Sequence, residues 1–172
     1  MSIKNQNLFP KVFASQSKYL LILLSAGIIL LMTMLSGCDS ESKEQTLHPY
    51  PDVQNVSQDI KNALSPQNKD KRVLLEFGAN WCPYCRRLDA TLKQADIASY
   101  VNSHFITIKV NVGKYNQNED IAKRYDLKVR KGIPVMLVLD HNGAVQKRIN
   151  PNILTRMHKK GRDTFFEWFK TI

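Results

Sequence analysis

Two cysteines separated by two residues, Cys82 and Cys85, are the side chains in this sequence best suited to chemistry. They follow the short apolar run 73–77, which is typical of a buried strand, and they precede a helical pattern. A helix start has unpaired backbone N–H groups and a partial positive charge, so it favours a thiolate at Cys82. Thiols in such motifs have pKa values of roughly 3.5 to 7.5, against about 8.5 for an ordinary thiol. The spacing therefore predicts a nucleophile at Cys82 with Cys85 within its reach.

Two chemistries fit this pair. In disulfide exchange, Cys82 would attack a substrate disulfide and Cys85 would resolve the mixed disulfide, leaving a Cys82–Cys85 disulfide. As a structural crosslink, this disulfide would stabilise the fold only slightly, because it closes a very short loop. In metal binding, zinc needs four ligands, and the sequence offers no second Cys-X-X-Cys and no histidine at ligand spacing. We predict no metal and no cofactor, and we keep a Cu(I) carrier as an alternative, with Met136 as the nearest extra ligand.

The beginning of the chain is typical of an export signal. In residues 1–37 three lysines precede an apolar run from Tyr19 to Leu35. The run is near the lower limit for a spanning helix, so an uncleaved transmembrane anchor is the alternative. Leu35-Ser36-Gly37-Cys38 resembles the lipobox of bacterial lipoproteins, and the resemblance implies cleavage before Cys38 and a lipid on its thiol. Asp39 resembles a signal for retention at the inner membrane.

These features divide the chain into three parts. Residues 1–37 are predicted to be a lipoprotein signal peptide, residues 38–52 a lipidated cysteine with a flexible tether, and residues 53–172 a folded domain. Cys38 would hold the domain on a lipid membrane, at the periplasmic face of the inner membrane. The net charge is +10, but export argues against nucleic acid as a partner, so the basic clusters, including 158–162, are interpreted as solvated surface.

Hydrophobic periodicity predicts an α/β fold with a central mixed sheet and helices on both faces. Helices alternate with strands, and the strong turn Asn142-Gly143 then predicts a hairpin. Asn150-Pro151 is interpreted as a loop after the last strand. The predicted helices cover 53–64, a segment after Cys82, 97–102, 119–125 and an aromatic helix started by Asp163; the predicted strands cover 73–77, 105–112, 135–139 and 144–149.

The segment from Leu75 to Cys85 resembles the active-site segment of the thioredoxin family. Lys131-Gly132-Ile133-Pro134-Val135 is similar to the cis-proline loop of that family, and the resemblance covers about residues 53–170. It implies a thioredoxin-like fold in which Pro134 is cis and sits against the reactive pair. It also implies that Ile133 offers backbone groups to a substrate strand, and that the substrate meets the side chains Trp81, Pro83 and Tyr84.

The same resemblance assigns a role to two charged residues. Glu76 matches the buried acid of thioredoxin, and Lys109 matches the lysine that pairs with it. A buried carboxylate near Cys85 would accept its proton during resolution; burial would raise the pKa of Glu76, and Lys109 would oppose that rise. The alternative is a partly exposed Glu–Lys pair on neighbouring strands with no catalytic part.

The sequence thus predicts an exported, monomeric thiol–disulfide oxidoreductase acting as a reductase. Its predicted partners are disulfide-containing exported proteins and a membrane dithiol electron donor. A disulfide-donating oxidase uses the same atoms in reverse, because direction depends on reduction potentials. The Pro-Tyr dipeptide between the cysteines is that of many glutaredoxins, which leaves the potential open.

Overall fold

The computed structural model describes residues 48–172, which form a four-stranded sheet with six α-helices. The predicted signal peptide, Cys38 and the tether as far as residue 47 lie outside the described residues. None of the helices in the described part is long and apolar enough to cross a membrane. The elements in chain order are α1 (Val56–Ala63), β1 (Arg72–Gly78), α2 (Pro83–Leu92), α3 (Ala95–His104), β2 (Phe105–Asn111), α4 (Glu119–Arg124), β3 (Val135–Leu139), β4 (Val145–Ile149), α5 (Pro151–Lys159) and α6 (Arg162–Phe169).

The sheet has the strand order β2-β1-β3-β4. β1 pairs with β2 in parallel, and α2 and α3 form the crossover between them. β3 is antiparallel to both β1 and β4. This arrangement confirms the predicted mixed sheet. It also places Glu76 of β1 directly opposite Lys109 of β2 in the ladder.

Alternation along β1 builds two cores, one on each face of the sheet. Val73, Leu75 and Phe77 point to the face that α1 and α4 cover, and Leu74 points to the face that the other four helices cover. Successive side chains of a strand point to opposite faces, and an apolar residue on both faces marks a strand that is buried on both. The prediction of helices on both faces is confirmed.

The domain begins differently from the sequence prediction. The predicted helix from residue 53 starts instead at Val56, because the side chain of Asn55 accepts a hydrogen bond from the Gln58 amide and caps the helix. Val53, which the periodicity placed on the apolar face, is 94% exposed. Tyr50 falls in the predicted tether, yet it is only 1% exposed and packs in the core.

Helix α5 is absent from the sequence prediction, which interpreted Asn150-Pro151 as a loop. The Asn150 side chain accepts a hydrogen bond from the Ile153 amide at 3.0 Å, and Pro151 occupies the first helical position. Both residues are therefore helix-start signals. Leu154 fixes α5 to the sheet by packing in the core that covers Leu74.

The other helix boundaries differ by one or two residues. The helix predicted at 97–102 runs from Ala95 to His104, and the aromatic helix begins at Arg162 rather than Asp163. Phe165 and Phe169 of that helix are fully buried, as the periodicity predicts.

Candidate active site

The reactive pair sits at the junction of β1 and α2. Cys82 is the N-cap residue of α2, with extended backbone angles (φ −81°, ψ 115°), and Pro83 occupies the first turn, where its missing N–H removes no hydrogen bond. The amide of Cys85 donates to the Sγ atom of Cys82 at 3.3 Å. Cys82 therefore uses its sulfur as the helix cap, a position usually taken by Ser, Thr, Asp or Asn.

This geometry separates the acidities of the two thiols. The pKa of Cys82 falls to about 6, chiefly because the Cys85 thiol donates a hydrogen bond to its sulfur, with help from the backbone amides of Tyr84 and Cys85 and the charge of Arg86. The pKa of Cys85 is raised, first by that same hydrogen bond, then by burial and by the negative charge of Glu76. At neutral pH the pair therefore consists of a Cys82 thiolate and a protonated Cys85.

Both cysteines are free thiols, and they are unequally accessible. Cys82 is 3% exposed and Cys85 is completely buried. An incoming disulfide therefore meets Cys82 first, and Cys85 reacts only with a bond already formed at Cys82. The difference in exposure is compatible with the predicted order of attack, which stays a prediction.

The cis-proline loop lies where the sequence predicts it. The Ile133–Pro134 peptide bond is cis, and the carbonyl oxygen of Ile133 lies 3.8 Å from the Sγ atom of Cys82. A substrate chain that bonds to the Ile133 backbone would hold its own sulfur next to Cys82.

The aromatic residues of the motif flank the sulfur at the surface. Trp81 is 49% exposed and Tyr84 is 54% exposed, whereas most large apolar side chains are buried. The indole N–H of Trp81 donates to the carbonyl of Gly113 at 2.7 Å. The Trp81 and Tyr115 rings pack edge to face, with 5.6 Å between their centroids. Trp81 is thus fixed in orientation while one part of it remains available to a partner.

Behind the cysteines lies a buried cluster of charged side chains. Glu76 is completely buried, and its Oε2 atom lies 3.8 Å from the Nζ atom of Lys109. The same ammonium forms an ion pair with Asp89, which is only 2% exposed. Lys93 pairs with the other oxygen of Asp89 at 3.0 Å. The predicted Glu–Lys pair exists, with Glu76 completely buried and the Lys109 side chain 22% exposed; its catalytic part stays a prediction.

Tyr50 completes this cluster from outside the predicted domain. Its hydroxyl donates a short hydrogen bond to the Oε1 atom of Glu76. Asn80 holds the Tyr50 backbone at both ends, accepting from its amide at 2.9 Å and donating to its carbonyl at 2.8 Å. The ring lies against Gly78, where any Cβ atom would clash with it.

The pKa of Glu76 is raised because burial penalises its charged form. Lys109 and the Tyr50 hydroxyl oppose that rise, while the charge of Asp89 adds to it. No hydrogen bond reaches the Oε2 atom of Glu76 from protein atoms of the described part. One carboxylate oxygen is therefore free to accept a proton.

Sequence reasoning missed Asp89 and Tyr50. Asp89 carried a usable signal, since it lies four residues after Cys85 on the same helix and therefore on the same face. Tyr50 carried none, because 26 residues separate it from Glu76 and it stands between two prolines in an otherwise polar segment.

The described residues give little support to a metal carrier. Across residues 48–172 no group of three His, Cys, Asp or Glu side chains is placed to hold a metal ion. Met136 is completely buried in the core on the opposite face of the sheet from the cysteines. It therefore offers no third ligand to a metal on Cys82 and Cys85.

Fold and site together define the class of protein: a mixed sheet with a Cys-X-X-Cys helix start facing a cis-proline. Residues 56–157 match the family model described as a thioredoxin-like domain, and the chain belongs to that family. The crystal structure of a disulphide isomerase from Xylella fastidiosa Temecula1 superposes with a TM-score of 0.64 at 28% identity, covering 72% of this chain and 95% of that one.

Curated relatives carry related names. A protein disulfide-isomerase of Ricinus communis is 26% identical over 116 residues, which cover 66% of this chain and 21% of that protein. Thioredoxin-1 of Drosophila yakuba is 33% identical over 73 residues, which cover 42% of this chain and 61% of that protein. The chain thus spans about a fifth of the first relative and about three fifths of the second.

Proposed function

We propose that this protein is an exported, lipid-anchored thiol–disulfide oxidoreductase that reduces disulfides of other exported proteins. The observation that supports this most is the division of acidity within the pair. A thiolate at Cys82, with a pKa of about 6, stands at a helix start, and a protonated Cys85 lies behind it. Disulfide exchange needs an attacking thiolate and a second thiol held back until the first has reacted.

The reaction proceeds in two steps. The Cys82 thiolate attacks one sulfur of the substrate disulfide, forms a mixed disulfide and releases the other substrate sulfur as a thiolate. Cys85 then loses its proton and attacks the Cys82 sulfur, which releases the second substrate thiolate and leaves the Cys82–Cys85 disulfide. Two electrons have passed to the substrate, and a membrane dithiol returns them by the same exchange.

Glu76 is the acceptor proposed for the Cys85 proton. Burial raises the pKa of this carboxyl toward the range that suits proton transfer near neutral pH, and its charge is felt at Cys85. Its Oε2 atom is free to take the proton, directly or through a water molecule. Lys109 stabilises the carboxylate form between turnovers.

A disulfide-donating oxidase is the second candidate, because one observation favours it. A low pKa at the attacking thiol stabilises the reduced pair, and such stabilisation makes a protein more oxidising. The value of about 6 for Cys82 lies between about 7 for thioredoxin and about 3.5 for a strong oxidant of the family. The names of the isomerase relatives support exchange at this pair without choosing a direction.

Two experiments test the proposal. Reduction of a model protein disulfide by the reduced protein should proceed, Cys82→Ser should abolish it, and Cys85→Ala should accumulate mixed disulfides. If the Cys82→Ser variant reduced the disulfide as fast as the native protein, the proposed enzymatic activity would be rejected. The reduction potential of the pair then decides direction: a value near −270 mV supports a reductase, and one near −120 mV supports the oxidase.

The anchor and the location need a separate test. Metabolic labelling with a fatty acid, followed by membrane fractionation, should give a labelled protein in the inner membrane. Cys38→Ser should remove the label and the cleavage. A label that persists in that variant would contradict lipidation at Cys38.

A further inference from the structure

A cleft bordered by Tyr84 and the cis-proline is lined by two cations that form no ion pair within residues 48–172. Its volume is about 130 Å³, and it lies between α2 and α5 with Pro134 as part of its wall. Arg87 and Lys159 contribute the charges, and no acidic residue lines it. The ion pairs found within residues 48–172 use other lysines and arginines, so neither of these two cations is neutralised there.

The walls of the cleft are held in place by polar contacts. His158 of α5 bonds through Nε2 to the Thr91 hydroxyl of α2 at 3.1 Å and through Nδ1 to the Leu154 carbonyl at 2.9 Å. Its ring also packs against Phe165, with 4.6 Å between the ring centroids. Helix α5, which carries Lys159, is therefore fixed against α2, the helix that Cys82 caps.

The position of the cleft relates it to the substrate chain. Ile133, whose carbonyl lies 3.8 Å from the Cys82 sulfur, directly precedes Pro134 in the cleft wall. Tyr84 of the reactive motif also lines the cleft. In an extended chain, side chains two residues apart point the same way and lie about 7 Å from each other. An extended substrate chain paired with the Ile133 backbone would therefore carry the side chain two residues from its cysteine past Pro134 and along this cleft.

We propose that Arg87 and Lys159 form a subsite for an acidic side chain of the substrate polypeptide, two residues from the cysteine that is attacked. The inference rests on the proposed function, since it concerns the substrate of the same reaction. A cleft of this volume holds a carboxylate and a few water molecules, at roughly 30 Å³ per water. The two cations also attract an acidic chain before contact, which raises the rate of encounter.

The test uses the reduced full-length protein and short cysteine peptides joined by a disulfide to a chromophoric aryl thiol. Cys82 attacks the peptide sulfur, the aryl thiolate leaves, and its absorbance reports the rate. The peptides carry Glu, Gln or Lys two residues before or after the cysteine. Arg87→Gln and Lys159→Gln remove the cations, and Lys160→Gln is the matched control, since it removes the same charge one residue outside the cleft.

We expect the Glu peptide to react about two- to fivefold faster than the Gln peptide per engaged cation, and the Lys peptide to react more slowly. The Glu-to-Gln ratio should fall toward one in Arg87→Gln and Lys159→Gln and persist in Lys160→Gln. Equal rates for Glu and Gln peptides, or an equal loss in Lys160→Gln, would overturn the subsite. A faster reaction with the glutathione–aryl disulfide would assign the cleft to a small thiol instead. If the reduced protein reacted with none of these disulfides, the proposed function itself would be rejected.

Discussion

The hydroxyl of Tyr50 donates a hydrogen bond to the buried carboxylate of Glu76, although 26 residues separate them and Tyr50 lies outside the predicted domain. Asn80, two residues before Cys82, fixes the Tyr50 backbone through two hydrogen bonds. The segment around Tyr50, which precedes the predicted domain, therefore contacts the acid behind the reactive pair directly.

Replacing Tyr50 with Phe should raise the pKa of Glu76 further. The phenol stabilises the charged form, and the variant loses that hydrogen bond while keeping the ring. The rising limb of the pH profile for the resolution step should then move to higher pH. NMR titration of the Glu76 carboxyl carbon measures the change, and Tyr125→Phe is the control, because that tyrosine packs in the same core without contacting Glu76. Identical titrations in all three proteins would refute a role for Tyr50.

Glu76→Gln should change how stability depends on pH. The pKa of Glu76 is higher in the folded state than its ordinary value of 4.5, so the folded state binds more protons between the two values. Stability therefore falls as pH rises through that window, by about 1.4 kcal/mol per pH unit for one group. The lowered pKa of Cys82 acts in the opposite direction above pH 6, so the experiment uses a Cys82→Ser background. Urea unfolding between pH 4 and 9 should show the loss in that background, and adding Glu76→Gln should remove it.

The exposed acid Glu119 provides the control for that experiment. Glu119→Gln should keep the pH dependence of the Cys82→Ser background. If adding Glu76→Gln left stability falling with pH as steeply as in that background, Glu76 would not be the responsible group. With both cysteines present, Glu76→Gln should slow resolution about 100-fold, which is the usual effect of removing a general base.

Gly78→Ala should destabilise the domain by about 1–3 kcal/mol, because the added methyl group clashes with the Tyr50 ring. Tyr50→Ala removes that ring, so Gly78→Ala should lower the free energy of unfolding much less in the Tyr50→Ala background than in the native protein. A double-mutant cycle of unfolding free energies measures the coupling between the two sites. Additive effects would mean that the contact between the ring and Gly78 is unimportant.

Asn150→Ala should cost about 1 kcal/mol, since the side chain caps α5 through the Ile153 amide. Because α5 carries Lys159, fraying of this helix should also reduce any preference for acidic peptides. Asn152→Ala, an exposed substitution inside the helix, is the comparison and should change stability by less than half as much. Equal losses in the two variants would contradict the cap.

The parts of the fold that the sequence predicts well are those with local signals. β3 matches its predicted bounds, and the hairpin at Asn142-Gly143 forms with Gly143 at φ +79°, supported by hydrogen bonds from the Asn142 and Ala144 amides to Asp140. The cysteine pair was found because strand, motif and helix follow one another directly along the chain. Its position at the helix start is a matter of local geometry.

The remainder depends on contacts between distant segments. Tyr50 is buried because Asn80 hydrogen-bonds its backbone and Gly78 leaves space for its ring. No residue near it in the sequence indicates this burial. Helix α5 was missed because Asn150-Pro151 fits a loop as well as a helix start, and the burial of Leu154 that fixes the helix to the sheet has no local signal. Val53 fitted the apolar period and is exposed, since the Asn55 cap begins the helix after it.

The most direct test of the central claim is the pH dependence of alkylation at Cys82. The reduced full-length protein is treated with iodoacetamide for short times between pH 4 and 9, and mass spectrometry locates the modified residue. Half-maximal reactivity of Cys82 near pH 6, with Cys85 unmodified across the range, is the predicted result. A midpoint near 8.5, the value of an ordinary thiol, or equal labelling of the two cysteines would contradict the account.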